Sequence, residues 1–213
     1  KRIPRKNIKL FHGKPIIAYS IEAALKSGLF DEVIVSTDDE EIAEVARRYG
    51  AKVPFIRPEN ISDDHATTVD VIKHTLNWYS EHAVEISAIC CIYATAPFIK
   101  KEAIKEGYQA ITQKGYQFSF AATEFPFPIQ RALLINEEQR IRMMQPEHEN
   151  TRSQDLPECY HDAGQFYWFR RDSLFRCSGF FSGKSAPVIL PRERVQDIDT
   201  EEDWRCAELA HEL

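Results

Sequence analysis

The apolar residues of this chain follow two rhythms, a helical one and a strand-like one, and the two alternate through the first half. Over 16–26, Ile17, Ile21, Ala24 and Leu25 recur at helical spacing, Pro15 stands at the helix start, and Gly28 supplies a stop. The β-branched run EVIVS at 32–36 predicts a buried strand, and Thr37-Asp38-Asp39 then makes a turn and a helix start. Over 40–49, Ile42, Val45, Ala46 and Tyr49 share one face, and Gly50 closes that helix. The run 52–56 predicts a second short strand, confined by Pro54 to an edge or a bulge. The polar stretch RPENISDDHATT at 57–68 ends on Thr67 or Thr68 as caps for a helix whose stripe is Val69, Ile72, Leu76 and Tyr79. ISAICCIY at 86–93 is nearly all apolar and predicts a strand covered on both faces, as in a parallel sheet. Thr95-Ala96-Pro97 breaks it, and a helix over 101–113 follows.

Strand, loop and helix in repeated order predict an α/β, doubly wound domain with a mostly parallel sheet. The second half changes character. A strand over 117–123 alternates through Phe118, Phe120 and Ala122, and Pro126 and Pro128 follow. The runs 133–135 and 141–144 predict a hairpin around Asn136-Glu137-Glu138. From 145 to 162 the chain is polar and irregular, an excursion of the length that carries function or a partner contact. We therefore expect a single domain over 1–213 with an inserted lobe at about 125–160. GQFYWF at 164–169 is β-prone; a short helix near 173–177, a strand at 188–190 and a terminal helix from Glu201 complete the reading.

Composition narrows the function classes. With 43% hydrophobic and 11% aromatic residues the chain can build a substantial core, and its net charge of −6 argues against nucleic-acid binding as its main task. No apolar run reaches the length of a membrane span, and no signal peptide is visible. Five cysteines, an odd number with no C-x-x-C pair, fit a reducing cytoplasm better than a disulfide framework or a zinc site.

Against the acidic background, five of the first nine residues are basic: Lys1, Arg2, Arg5, Lys6 and Lys9. Pro4 predicts a loop there. A basic loop ahead of an apolar helix suits a polyphosphate whose charge shifts during phosphoryl or nucleotidyl transfer; a solvated basic terminus has the same composition. At the other end, Asp197 and Asp199 flank Ile198, so an extended backbone turns both carboxylates to one side. That pair suits Mg²⁺, which keeps waters and substrate phosphates among its ligands. The alternative is that one of the two merely caps the helix begun by EEDW. A cationic loop and a divalent cation together would enclose a nucleoside triphosphate. No histidine shows ligand spacing, and no nucleophile–base pair can be assigned.

KRIPRKN, the Gly-Lys-Pro that leads the first helix, VIVSTDDEEIAEVA, RPENISDDHATT, the A-T-A-P turn and QDIDTEEDW together resemble the cytidylyltransferases that activate nine-carbon acidic sugars, the CMP-N-acetylneuraminate synthetases among them. The likeness spans essentially the whole chain. It implies a nucleotide-diphospho-sugar transferase, Rossmann-like fold with a small dimerisation lobe, and a bacterial cytoplasmic homodimer using CTP, a nine-carbon keto sugar acid and Mg²⁺. It also implies a short strand and a Gly- and Ser-containing loop ahead of Lys1, so the part of the nucleotide site they carry is not assigned. Where sialate synthetases present Gln-Pro-Thr-x-Pro, this chain has Tyr93-Ala94-Thr95-Ala96-Pro97, and their Asn-Gly is replaced by Asp162-Ala163-Gly164. The DAGQFYW stretch is similar to the pseudaminic acid cytidylyltransferases of the family.

By this resemblance Lys1, Arg2 and Lys6 hold the triphosphate and act in catalysis together with Asp199, and Asn7 orients the nucleotide. Arg57, the backbone of Ala66 and the hydroxyl of Thr68 recognise cytidine, and Asp197 and Asp199 bind Mg²⁺. Tyr93, Thr95, Gly164 and Gln165 border the sugar, with Arg152 set against its carboxylate. The implied reaction is CTP plus pseudaminate giving CMP-pseudaminate and pyrophosphate. The alternatives are a CMP-N-acetylneuraminate or CMP-legionaminate synthetase and, from another class, a catalytically silent nucleotide-binding module.

Overall fold

The structure is a computed structural model and describes residues 3–63, 66–174, 181 and 183–212. After a short 3-10 turn at Lys6–Ile8 come the two-residue strands β1 (Leu10–Phe11) and β2 (Lys14–Pro15), then α1 (Ile16–Ser27), α2 (Glu40–Arg48) and α3 (Thr68–Glu81). Then follow β3 (Ala88–Ile92), α4 (Lys101–Gln113), β4 (Phe118–Glu124), β5 (Leu133–Ile135), β6 (Ile141–Met143), β7 (Tyr160–Arg170), α5 (Arg171–Leu174), β8 (Ser185–Ile189) and α6 (Glu201–His211). The predicted helices recur with small boundary shifts, and α4 has the bounds its periodicity predicts. Of the short helix expected near 173–177, only its start falls among the described residues.

The central sheet runs β3-β7-β4-β8. β7 pairs antiparallel with both β3 and β4, and β4 pairs parallel with β8. The α/β class holds, but this sheet is mixed rather than mostly parallel. An apolar run specifies burial on two faces and leaves strand direction open; the direction of β3 is set by β7, which returns from the far side of the lobe. Parallel pairing also appears as isolated bridges, Ile34 with Lys52 and Thr37 with Ile56. These runs, expected as strands at 32–36 and 52–56, stay bridges because Pro54, between the bridged Lys52 and Ile56, brings no N–H to a ladder.

Alternation along β7 divides the core. Phe166 and Trp168 face Ile99, Ala103, Ile104 and Ile111 of the α4 side. Tyr167 and Phe169 face Ile72 and Leu76 of α3. The aromatic run is thus sheet core on both faces, worth roughly 1.5–3 kcal/mol for each large apolar side chain buried. A third cluster of Ile3, Phe11, Ile16, Phe98, Ile198, Trp204 and Ala207 joins the opening loop to the start of α6. This cluster brings the two charged ends of the chain together. The lobe leaves the sheet after β4 and returns at β7, its base closed where Phe125 N–H donates to Cys159 O at 3.0 Å. Among the described residues, no helix is long and apolar enough to cross a membrane.

Candidate active site

The basic loop is folded onto two acidic segments, and its cations have different tasks. Arg5, in a left-handed conformation at φ 51°, donates to Asp39 at 2.9 Å and also pairs with Glu41. Asp39 is the N-cap of α2, accepting from Glu41 and Ile42 N–H groups. The Arg5 guanidinium, followed by the Ile42 N–H, holds the Asp39 carboxyl below the usual carboxylate range. Arg5 therefore anchors the loop, a role the sequence reading left unassigned. Lys9 does the same at the other side, reaching Glu201 at 2.7 Å with its ammonium over the Trp204 ring. Lys6 instead points at the acidic pair: its ammonium lies 2.9 Å from Asp199 Oδ1 and also donates to the Ile198 carbonyl. Lys1 and Arg2, expected to hold the triphosphate, lie outside the described residues.

Ile198 is 1% exposed, and the exposed Asp197 and Asp199 stand on either side of it. Buried Ile198 is the anchor that turns both carboxylates outward. The cap of α6 is Thr200, whose side chain accepts from Asp203 N–H while Asp203 reaches back in a capping box. Capping thus consumes neither Asp197 nor Asp199, which removes the alternative task. Asp199 already faces one cation, the Lys6 ammonium, so the pair fits a divalent ion whose other ligands come from water and phosphate. No group of three or more His, Cys, Asp or Glu suited to a metal occurs among the described residues, so protein alone would supply two ligands here.

The expected cytidine residues sit at the mouths of other elements. Arg57 is fixed from three directions, donating to Ser62 Oγ at 3.1 Å, the Ser36 carbonyl at 3.4 Å and Asp38 at 3.3 Å. Ala66 N–H is already given to Asp63 Oδ1 at 2.9 Å, which leaves its carbonyl for a ligand. Thr68 opens α3 behind the Thr67–Asp70 capping box, and its hydroxyl meets Tyr93 Oη at 3.2 Å. Asn7, in the turn with Lys6, is half-buried. Tyr93 and Thr95 follow the end of β3, and Tyr93 N–H donates to Gln165 O at 2.9 Å, so β3 and β7 bring Tyr93 beside Gly164 and Gln165.

Two expected sugar residues behave differently. Gln165 is 3% exposed; its amide N–H donates to Arg194 O at 2.6 Å, and its Oε1 is buried with no hydrogen-bond partner among the described residues. Arg152 sits on the lobe, 72% exposed, paired with Asp155 at 2.7 Å. Sequence reasoning missed Tyr167, whose hydroxyl donates to Asp162 at 2.5 Å. The signal available was a glycine inside a strongly β-prone run.

A family model described as Cytidylyltransferase matches residues 1–190. A pseudaminic acid cytidylyltransferase of Campylobacter jejuni is 46% identical over 213 residues, covering 100% of this chain and 92% of that protein. The CMP-N,N'-diacetyllegionaminic acid synthase of Legionella pneumophila is 29% identical, with 100% and 92% covered. Among solved structures, a CMP:2-keto-3-deoxy-manno-octonic acid synthetase complexed with CTP superposes with TM-score 0.66 at 18% identity, covering 100% of this chain and 95% of that one. At that identity the superposition speaks to the Rossmann-like fold alone. The model match over most of the length and the full-length identity settle the family: the chain belongs to the cytidylyltransferases.

Proposed function

We propose that this chain is a pseudaminic acid cytidylyltransferase, converting CTP and pseudaminate to CMP-pseudaminate and pyrophosphate. The observation that carries the reading is the 46% identity, over the whole chain, to a protein of that activity. The anomeric hydroxyl oxygen of the sugar bonds to the α-phosphorus in line as the bond to the bridging oxygen of pyrophosphate breaks, and the hydroxyl proton passes to solvent. No protein nucleophile is required; positioning and charge do most of the work. Asp197 and Asp199 would hold Mg²⁺, which when bound supplies neutralising charge to phosphate oxygens. Lys6 meets the charge developing on pyrophosphate, with Lys1 and Arg2 beside it in sequence, and Asn7 orients the nucleotide. Arg57, the backbone of Ala66 and Thr68 read cytosine, and Tyr93, Thr95, Gly164 and Gln165 border the sugar.

The lobe is the surface for a second copy. Phe127 is 78% exposed, Ile135 and Ile141 each 65%, and Leu133 58%, an apolar patch of the kind that marks a protein–protein contact. In such a homodimer Arg152, carried on the same lobe, would face the partner's sugar carboxylate.

The test is pyrophosphate release from CTP, with and without Mg²⁺, offering pseudaminate, N-acetylneuraminate and legionaminate in parallel. Mg²⁺-dependent release with pseudaminate alone is the expected result. Preference for either other sugar would overturn the substrate, and CTP binding with no release from any sugar would make the chain a silent nucleotide-binding module.

A further inference from the structure

A guanidinium stays charged at every physiological pH and offers only donors, so an arginine drawn into a protein interior normally has an anion beside it. Arg194 has none. It ends the 3-10 turn Arg192–Arg194, where the chain leaves the sheet on its way to Asp197 and Asp199. The residue is half-buried, and its Nε is fully buried without a hydrogen-bond partner. Among the described residues its side chain meets the Phe98 carbonyl, at a long 3.5 Å, and no carboxylate. Arg57, also half-buried, by contrast has Asp38 at 3.3 Å.

The neighbours of Arg194 are the residues proposed to border the sugar. Its carbonyl accepts from the Gln165 amide at 2.6 Å, and the Gln165 carbonyl accepts from Tyr93 N–H at 2.9 Å. Its guanidinium reaches the turn after Thr95, where Phe98 stands three residues on. The backbone here is held on both sides. Val195 packs against the cluster of Ala96 and Ile99, and Ile198 is buried in one cluster with Phe98. Arg194 is thus tied to both parts of the border, β7 and the turn after β3, three residues ahead of Asp197.

The triphosphate has its cations in the opening loop, where Lys6 lies against Asp199. The other anion of the reaction is the carboxylate of the sugar acid. We propose that Arg194 binds this carboxylate through its guanidinium fork and gives the site its requirement for an acid. A carboxylate fits the fork with two parallel bonds and supplies the countercharge that the chain itself withholds. In a 2-keto acid the carboxylate carbon is bonded directly to the anomeric carbon, so holding one aims the other. The inference rests on the nucleotidyl-transfer reading above and deepens it; Arg152 from a second copy would add a further cation from outside.

Pyrophosphate release by the full chain with CTP and Mg²⁺ is compared for pseudaminate and its C1 carboxamide, which keeps the shape and loses the charge. The wild type should prefer the acid. In Arg194→Gln the KM for pseudaminate should rise roughly tenfold or more, the scale of a charge-assisted bond lost, while the KM for CTP stays near its wild-type value. The acid-over-amide ratio of kcat/KM should fall by a similar factor. Arg194→Lys, a point charge without the fork, should regain part of it. Any effect of the amide on the reactivity of the anomeric hydroxyl is common to wild type and variants and cancels in the comparison. Should a thermal melt show Arg194→Gln unfolded, Arg194→Lys alone must still lower the ratio. A merely structural Arg194 would slow acid and amide alike. An unchanged ratio, or one that falls in Arg152→Gln and not in Arg194→Gln, overturns the inference while the family reading stands. Wild-type protein that releases no pyrophosphate with either compound would instead bring down the proposed reaction, and this inference with it.

Discussion

Lys6 Nζ and Asp199 Oδ1 lie 2.9 Å apart although 193 positions separate them in sequence. In this pair the cation proposed for pyrophosphate and the carboxylate proposed for metal neutralise one another. CTP with its metal must replace this pair by new partners of the same sign for each, which keeps both groups solvated or paired throughout.

Replacing either member should therefore cost turnover and little stability. The pair is 18% exposed at Lys6 and 57% at Asp199, and such half-open ion pairs contribute about 0–1 kcal/mol to folding. Asp199→Ala is expected to lower kcat by roughly 100-fold or more while the sugar's KM changes little, the pattern of an interaction made mainly in the transition state. Pyrophosphate release and a thermal melt on the same preparation check both halves. Equal losses in kcat and in sugar binding would count against the metal role of Asp199.

Gly107 should resist replacement for reasons of packing. It lies inside α4, and a Cβ built there comes within 2.7 Å of Trp168 Cδ1 and 2.9 Å of Phe166 Cε2. The Trp168 ring has nowhere to go: its N–H donates to Ile104 O at 2.9 Å, and Phe30 stacks on it at 5.2 Å. Gly107→Ala gains about 1 kcal/mol in helix propensity against roughly 1–3 kcal/mol of overpacking. We expect a net loss on the order of 1 kcal/mol, measured by denaturant unfolding followed on tryptophan fluorescence. A more stable variant would mean that α4 slides freely on the sheet.

These examples show which parts of the molecule were legible in its sequence. The stripe of α4 and its Thr95-Ala96-Pro97 boundary are local features, and the helix appears at Lys101–Gln113 as expected. Basic loop and acidic pair could be read as partners because their chemistry is complementary; their meeting depends on a cluster around Phe11, Ile198 and Trp204 that no local pattern announces. The direction of β3 was not legible, because Cys90 faces Trp168 across a partner strand that follows an entire lobe. Nor was the Asp162–Tyr167 bond, which needs the bulge at Gly164 to close it.

The hairpin of the lobe gives an oligomeric prediction. Among the described residues β5 and β6 pair only with each other, Leu133 opposite Met143 and Ile135 opposite Ile141, and leave their apolar side chains outside. An isolated two-stranded ribbon is marginal in water, so a covering surface would stabilise it. Ile135→Glu combined with Ile141→Lys should convert a dimer to a monomer in light scattering. The two new charges face each other across the ribbon, which keeps the hairpin itself intact. Wild-type protein that is monomeric at all concentrations would end the proposal of a dimerisation lobe.

Acid should loosen the junction between the opening segment and α6. The rings of His12 and His211 stack at 4.8 Å, with Phe11 and Tyr19 edge-on to His211. Burial first, then the neighbouring His12 and Lys14, lower the His211 pKa below its ordinary value. A histidine whose folded pKa is depressed favours the neutral ring in the folded state. Its contribution is complete above the unfolded pKa near 6.5 and is lost as pH falls through the lower folded value. The melting temperature should therefore decline as pH drops below about 6.5. His211→Phe keeps the aromatic contacts, cannot take up a proton, and should flatten that decline. An unaltered acid slope in His211→Phe would assign the loss to the carboxylates that cap and pair elsewhere, Asp39 under Arg5 and Asp203 under Thr200, whose lowered pKa values give the same sign.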